Sequence, residues 1–186
     1  MLTALNDLHQ RPVSPQQLHE LAATLGADCP FFLGSPCSRA TGIGTDLREV
    51  ASPKHWVVLA IPQITQTSKT AALYGSLTSQ DYKRSSEIGA VEEAILAGDI
   101  LFRHLPNSFL TPALAAFPML DQVRQRMIEI AGTAHLSGAG PALFAIAASE
   151  SQAQSWATMI RKEVPESVEV LTAAFLQSRP QLEFLA

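Results

Sequence analysis

Apolar residues return every third or fourth position along some stretches of the chain and crowd into short continuous runs in others. The first pattern predicts helices and the second predicts buried strands. In residues 1–10 (MLTALNDLHQ), Leu2, Leu5 and Leu8 are spaced by three, a helical period. No N-cap and no first turn precede them, so the chain is expected to start inside a helix, with Met1 an internal methionine of a longer chain. The following helix is bounded more sharply. Ser14 is its N-cap, Pro15 takes the first helical position and Gln17 completes a capping box. Leu18, Leu21, Ala22 and Leu25 then fall at i, i+3, i+4 and i+7, which predicts one buried face. Gly26 reads as the C′ residue, and Pro30 keeps the helix from resuming.

Residues 37–50 alternate loosely around Gly42, Ile43 and Gly44, as two short strands joined by a tight turn would. Ser52, Pro53 and Lys54 form a polar break and the best candidate for a domain boundary. Residues 55–61 (HWVVLAI) predict a buried strand ending at Pro62, and 68–77 a helix capped by Thr67 or Ser68. A polar loop over 81–86 leads to a helix near 87–97. Residues 107–117 and 120–130 predict a helical pair split by Pro118, with Leu120, Val123, Met127 and Ile130 as the core stripe of the second helix. Residues 135–147 (HLSGAGPALFAIA) read as a glycine-rich turn running into a strand. Residues 152–162 predict an amphipathic helix with Ala153, Trp156, Ala157 and Ile160 inward, and 168–176 a last strand. From about residue 54 this order predicts an α+β fold with helices on one face of a sheet.

Composition narrows the function classes. The chain has 186 residues, 47% of them apolar and 16% charged, enough for one core or for one domain and part of another. A net charge of −4 offers no basic field, which argues against a nucleic-acid partner. No apolar run has the length of a membrane span, and no charged, then apolar, leader opens the chain, so a cytoplasmic protein with no membrane partner is expected. Cys29 and Cys37 lack metal-ligand spacing and read as reduced thiols; His104 and His135 read as structural or surface groups, and no metal site is assigned.

Two stretches carry candidate chemistry. Asp28 follows a helix end inside Leu25–Phe32 (LGADCPFF), beside a segment apolar enough to bury it. A carboxylate there is either a local acceptor for turn amides or a working group. Ser137, Gly138, Ala139 and Gly140 form a small-residue turn whose amides can approach an anion or a neighbouring loop. No Gly-Lys-Ser/Thr follows, and a strand comes after it, which excludes a Walker loop and a dinucleotide fingerprint. Asn107 after Pro106 reads as a helix N-cap. Thr70 and Tyr74 lie four apart on a short helix, where packing and surface chemistry explain them equally.

Together these pieces resemble the GHMP kinase superfamily and, within it, the family of 4-diphosphocytidyl-2-C-methyl-D-erythritol kinases. The carrying residues are 4–33, with its G-A-D-x-P-F-F block, and SRATGIGTDL at 38–47. TSKTAALYGSL at 67–77, PNSFLTPALAAFPML at 106–120 and LSGAGPALFA at 136–145 follow. The resemblance implies a GHMP fold: residues 1–52 as the tail of the ATP-binding domain, and 53–186 as a complete ferredoxin-like C-terminal domain. It implies ATP and Mg as cofactors and a small-molecule substrate whose hydroxyl is phosphorylated on the isoprenoid route. Asp28 then resembles the catalytic carboxylate, Thr70 a substrate-lining threonine, and Ser137, Gly138, Ala139 and Gly140 the loop packed at the phosphate site.

Two departures stand out. Many members read Asn-Asp-Leu-Glu where this chain has Asn107, Ser108, Phe109 and Leu110, and Cys29 replaces a common valine. The family's lysine, cytidine-gripping residues and Gly/Ser-rich ATP loop lie ahead of the matching region and have no counterpart here. The isolated chain is therefore expected to be inactive, with its bared first helix a sticky surface or a homodimer contact. A GHMP kinase of homoserine or mevalonate type, or a non-catalytic GHMP-like binding module, are the alternatives.

Overall fold

Gln17 N–H donates to the Ser14 hydroxyl (3.3 Å) and Ser14 N–H donates to Gln17 Oε1 (3.0 Å), closing the capping box at the head of α2 (Pro15–Leu25). A computed structural model describes residues 1–64, 69–82, 85–97 and 105–179. It divides the chain into two compact units. One is Met1–Pro53 with the segment from Leu176 onward; the other is Lys54–Phe175. Among the described residues no helix is long and apolar enough to cross a membrane.

In the first unit, α1 (Leu2–Leu8) is joined to the approach of α2 by Asn6, whose carboxamide donates to Val13 O (2.9 Å) and accepts from Val13 N–H (3.1 Å). The chain reverses between them at Gln10 and Arg11, both with positive φ (62° and 59°). A 3₁₀ turn, Cys29–Leu33, follows α2, and then an antiparallel hairpin of β1 (Ser38–Thr41) and β2 (Asp46–Glu49). Gly42 and Gly44 make its bend at φ 64° and 102°, conformations that a side chain would strain. The Thr41 hydroxyl clasps Asp46 Oδ2 across the hairpin mouth at 2.7 Å.

Two expectations for this unit need correction. Only Leu18 and Ala22 of the α2 stripe are buried, while Leu21 and Leu25 stay exposed. Two short helices, a 3₁₀ turn and a two-stranded ribbon do not supply enough apolar surface to cover a full stripe. Gly26 does cap α2, but at φ 165° its backbone is extended and not left-handed, a shape any residue adopts. Leu5 and Leu8 are exposed on α1, in keeping with the bared apolar face expected of the first helix. Both cysteines are free and half-buried, and burial pushes the Cys37 thiol above its ordinary value.

In the second unit, β3 (Trp56–Pro62) is followed by α3 (Lys69–Ser76), α4 (Ser85–Leu96), α5 (Leu110–Ala116) and α6 (Pro118–Ala131). β4 (His135–Leu136), β5 (Leu143–Ala147), α7 (Glu150–Glu163) and β6 (Val168–Ala174) complete it. The four strands pair antiparallel in the order β4-β5-β3-β6. That is the interleaved order of a ferredoxin-like β-α-β-β-α-β unit, with the helices α3 to α6 in the first crossover and α7 in the second. The caps proposed for α3, Thr67 and Ser68, lie outside the described residues, as does His104.

Register decides which side chains meet the helices. Val58, Ala60 and Pro62 of β3 alternate inward with Leu143, Ala145 and Ala147 of β5 and Val168 and Val170 of β6. Ala153 and Ala157 of α7 are buried in the same core, and so many methyl side chains allow helix and sheet backbones to approach closely. α6 supplies the bulk through Leu120, Val123 and Met127, with Ile130 and Trp156 half-buried at the margin. Pro118 starts α6 at its first position and Gly132 ends it in the left-handed region (φ 77°).

Leu120 is fully buried, and its surroundings are sheet and helix that cannot collapse far. Leu120→Ala should lower stability by about 3 kcal/mol. Urea unfolding followed by far-ultraviolet circular dichroism should show the lower midpoint at an unchanged slope.

Candidate functional site

Asp28 sits at the head of the 3₁₀ turn Cys29–Leu33. Its backbone is helical (φ −84°, ψ −16°), not extended as in a capping residue, and its side chain makes no capping hydrogen bond. The carboxylate is exposed, contrary to the expectation that the Cys-Pro-Phe-Phe segment buries it. Pro30 is the residue of that turn that goes into the core, while Phe32 is 72% exposed. Of the two local readings, the acceptor for turn amides is thus not what the side chain does. It is held beside Pro30 with its oxygens open to whatever approaches.

The glycine loop lies in the second unit, where β4 ends and β5 begins. Ser137 N–H donates to Ala142 O (2.9 Å), and Gly140 N–H donates to Ser137 O (2.8 Å). These two bonds close the loop and leave the neighbouring amides of Gly138 and Ala139 with no acceptor among the described residues. Gly138 and Gly140 both have positive φ (54° and 74°), and the Gly140–Pro141 bond is cis. At Gly140 a Cβ would stand 2.8 Å from Cδ1 of the buried Leu136, so any other residue would have to displace that side chain and adopt a strained positive φ. Two adjacent free amides on such a bend form a shallow anion-accepting concavity.

Asn107 holds this loop in place. Its carboxamide nitrogen donates to Leu136 O (2.9 Å) and to Gly138 O (3.0 Å), and its oxygen accepts from Phe109 N–H (2.8 Å). Sequence reasoning made it the cap of a helix over 107–117. Instead α5 begins at Leu110 with Phe109 in the cap position, and Asn107 forms an Asx turn ahead of it. Phe109 in turn meets the Tyr74 ring edge-to-face at 4.8 Å, which ties α5 to α3. Thr70 lies one helical turn before Tyr74 on α3, and its side chain is outside the described residues.

The structure therefore links the loop, Asn107 and α3 within the second unit, while Asp28 belongs to the first. A cavity of about 610 Å³ lined by Leu73, Ser76, Asp81, Thr111 and Phe117 contains none of the residues picked out from the sequence. His135 is buried, 7% exposed, with its ring 5.4 Å from that of Phe144. Among the described residues no three His, Cys, Asp or Glu side chains gather at one point.

Removing the Asn107 carboxamide leaves two loop carbonyls and one amide without a protein partner. Asn107→Ala should cost about 2 kcal/mol and raise amide exchange at Ser137 and Gly140 in hydrogen–deuterium measurements. Asn107→Asp keeps the Phe109 bond but faces two carbonyls with a carboxylate, so the loop should exchange at least as fast.

The family described as "GHMP kinases C terminal" matches residues 90–166. A 4-diphosphocytidyl-2-C-methyl-D-erythritol kinase of Macrococcus caseolyticus is 32% identical over 155 residues, covering 81% of this chain and 54% of that protein. The crystal structure of a 4-(cytidine 5'-diphospho)-2C-methyl-D-erythritol kinase superimposes with a TM-score of 0.70 at 31% identity, over 91% of this chain and 60% of the other. Homoserine kinase from Cytophaga hutchinsonii shares the fold alone, with a TM-score of 0.65 at 18% identity over 95% of this chain and 63% of that one. The chain spans about half the length of the curated relatives it matches. On sequence and fold together, the chain has the GHMP kinase fold, matches the GHMP kinase C-terminal family over residues 90–166, and is similar to the 4-diphosphocytidyl-2-C-methyl-D-erythritol kinases over about half of their length.

Proposed function

We propose that these residues serve an ATP-dependent kinase that phosphorylates the 2-hydroxyl of 4-diphosphocytidyl-2-C-methyl-D-erythritol, with Asp28 as the catalytic carboxylate. The observation that carries the reading is Asp28 itself: an exposed carboxylate, fixed by a rigid Pro-containing turn and given no local hydrogen bond to make. It stands inside the G-A-D-x-P-F-F block that marks the resemblance.

Likeness to that superfamily implies ATP as the phosphoryl donor. Transfer through a loose transition state needs positioning and charge stabilisation more than a strong base. Asp28 would accept a hydrogen bond from the substrate hydroxyl, aim its oxygen at the γ-phosphorus and take the proton as the new oxygen–phosphorus bond forms and ADP departs. The free amides of Gly138 and Ala139 fit the stabilising role, since they point donors at an anion at no reorganisation cost. Thr70 is assigned to the methylerythritol end of the substrate through the resemblance of residues 67–77. The first unit would be the tail of the ATP-binding domain and the second the complete C-terminal domain. Activity would then also need the amino-terminal portion that the relatives carry beyond the matched region.

The test is γ-phosphate transfer from ATP, followed by ³¹P NMR, in two proteins. One is the 186-residue chain alone; the other is the same chain preceded by the amino-terminal part of the Macrococcus relative. The first should show no transfer, and the second should phosphorylate the cytidyl substrate and neither homoserine nor mevalonate. In the longer protein, Asp28→Asn should lower kcat by about 100-fold or more with little change in KM. Turnover by the short chain, preference for another alcohol, or an Asp28→Asn variant at full rate would each overturn the corresponding part of the proposal.

A further inference from the structure

Arg124 projects from α6 one turn before Ile128 and two turns before the helix end at Gly132. Among the described residues its guanidinium makes no hydrogen bond and no ion pair, and its Nε–H is buried with no acceptor. An arginine cannot shed its proton to escape this. A charged donor withdrawn from water and left without an acceptor is among the costlier features a fold can carry.

Arg124, half-buried as a whole, lines a cavity of about 160 Å³. Asn107, His135, Thr111 and Thr133 supply the rest of its polar side chains, Leu110 and Ile128 part of the apolar wall, and among the described residues no carboxylate lines it. The His135 ring is buried and rests near Phe144, which fixes the face it presents. The space admits several waters or one small oxyanion. Water would give the Nε–H an acceptor but leave the positive charge without a counter-charge. A tetrahedral oxyanion supplies both, and its spread of oxygens suits the planar donor fork of arginine with hydroxyl donors around it. None of Ser137, Gly138, Ala139 or Gly140 lines this space, so it is separate from the glycine loop.

We propose that this cavity binds a small tetrahedral oxyanion, of which inorganic phosphate is the simplest, on Arg124 with the hydroxyls of Thr111 and Thr133. Its position gives the ligand a route to the loop. His135 and Leu136 are β4, the strand that runs directly into Ser137, and the Asn107 clamp on Leu136 O and Gly138 O borders the same space. A bound anion therefore steadies the base of the loop.

The test is a ¹H–¹⁵N NMR titration of the 186-residue chain with inorganic phosphate at constant ionic strength, with chloride and acetate as parallel arms. Phosphate should give saturable shifts at Thr133, Ala134, His135 and Leu136, with slower amide exchange at Gly140. Arg124→Gln should weaken the binding about tenfold or more while leaving the circular dichroism spectrum unchanged. Should that variant fail to fold, Arg124→Lys, which keeps the charge and loses the fork, should bind several-fold more weakly than the parent. No saturation up to about 50 mM phosphate, equal saturation in the arginine variants, or saturation by acetate or chloride alone would each overturn the assignment. None of these outcomes depends on kinase activity, so failure here and failure of the kinase reading are distinguishable.

Discussion

The Asn107 carboxamide meets three backbone groups at once, two carbonyls of the glycine-loop region and the amide of Phe109. Much of the second unit's functional face depends on that contact. Two hydrogen bonds among the described residues close the loop, and Gly138 and Gly140 occupy backbone regions that side-chain-bearing residues avoid. Left to itself, such a bend has little to hold one shape, because glycine loses more conformational freedom on ordering than any other residue. Asn107 supplies the outside restraint. The chain of contacts then continues through Phe109 to Tyr74 and α3, so one polar side chain registers a loop, a helix start and a second helix against one another.

The latch also explains why the loop can present unused amides. Backbone donors seek partners, and an exposed Gly-rich turn would ordinarily relax toward whichever hydrogen bonds it could make. Here the carbonyls of Leu136 and Gly138 are committed to Asn107, and Pro141 has no amide to offer. The amides of Gly138 and Ala139 are left facing outward by the constraint, at the place where the resemblance assigns a phosphate. The Asp28 side chain reaches a similar condition by other means. The backbone at Asp28 is helical and not the extended form of a capping residue, and its exposed carboxylate makes no capping bond.

How much of this was legible in the sequence depended on whether the decisive partner was near in the chain. The capping box of Ser14 and Gln17, the αL glycines of the hairpin and the Leu120, Val123, Met127 stripe are all encoded within four residues, and the structure reproduces them. The order of strands and helices followed from period and length, whereas the ferredoxin-like form of the sheet was implied by the family resemblance. Asn107 was misjudged because its local surroundings, a proline before it and a helix after it, are those of a cap. Its real partners are 29 and 31 residues away, a distance no short-range pattern spans. The exposure of Leu21, Leu25 and Asp28 failed for the opposite reason. Periodicity tells which face of a helix is apolar, not whether enough surface exists to cover it.

Arg124 shows what remains once local and long-range partners are accounted for. It is a polar member of an amphipathic helix, and the period of α6 assigns it to no particular task. Only the three-dimensional surroundings show that its Nε–H is shielded from water without an acceptor, in a residue that lines a space with no carboxylate among the described residues. In a protein whose net charge is −4, acidic side chains outnumber basic ones, so an arginine without an ion partner is not explained by scarcity of carboxylates. Among the described residues, none lines the cavity beside this one. Such an arrangement costs stability when the space is empty and recovers it when an anion enters, by mass action on the folded state. The same linkage makes occupancy of the cavity and order in the neighbouring loop two readings of one equilibrium.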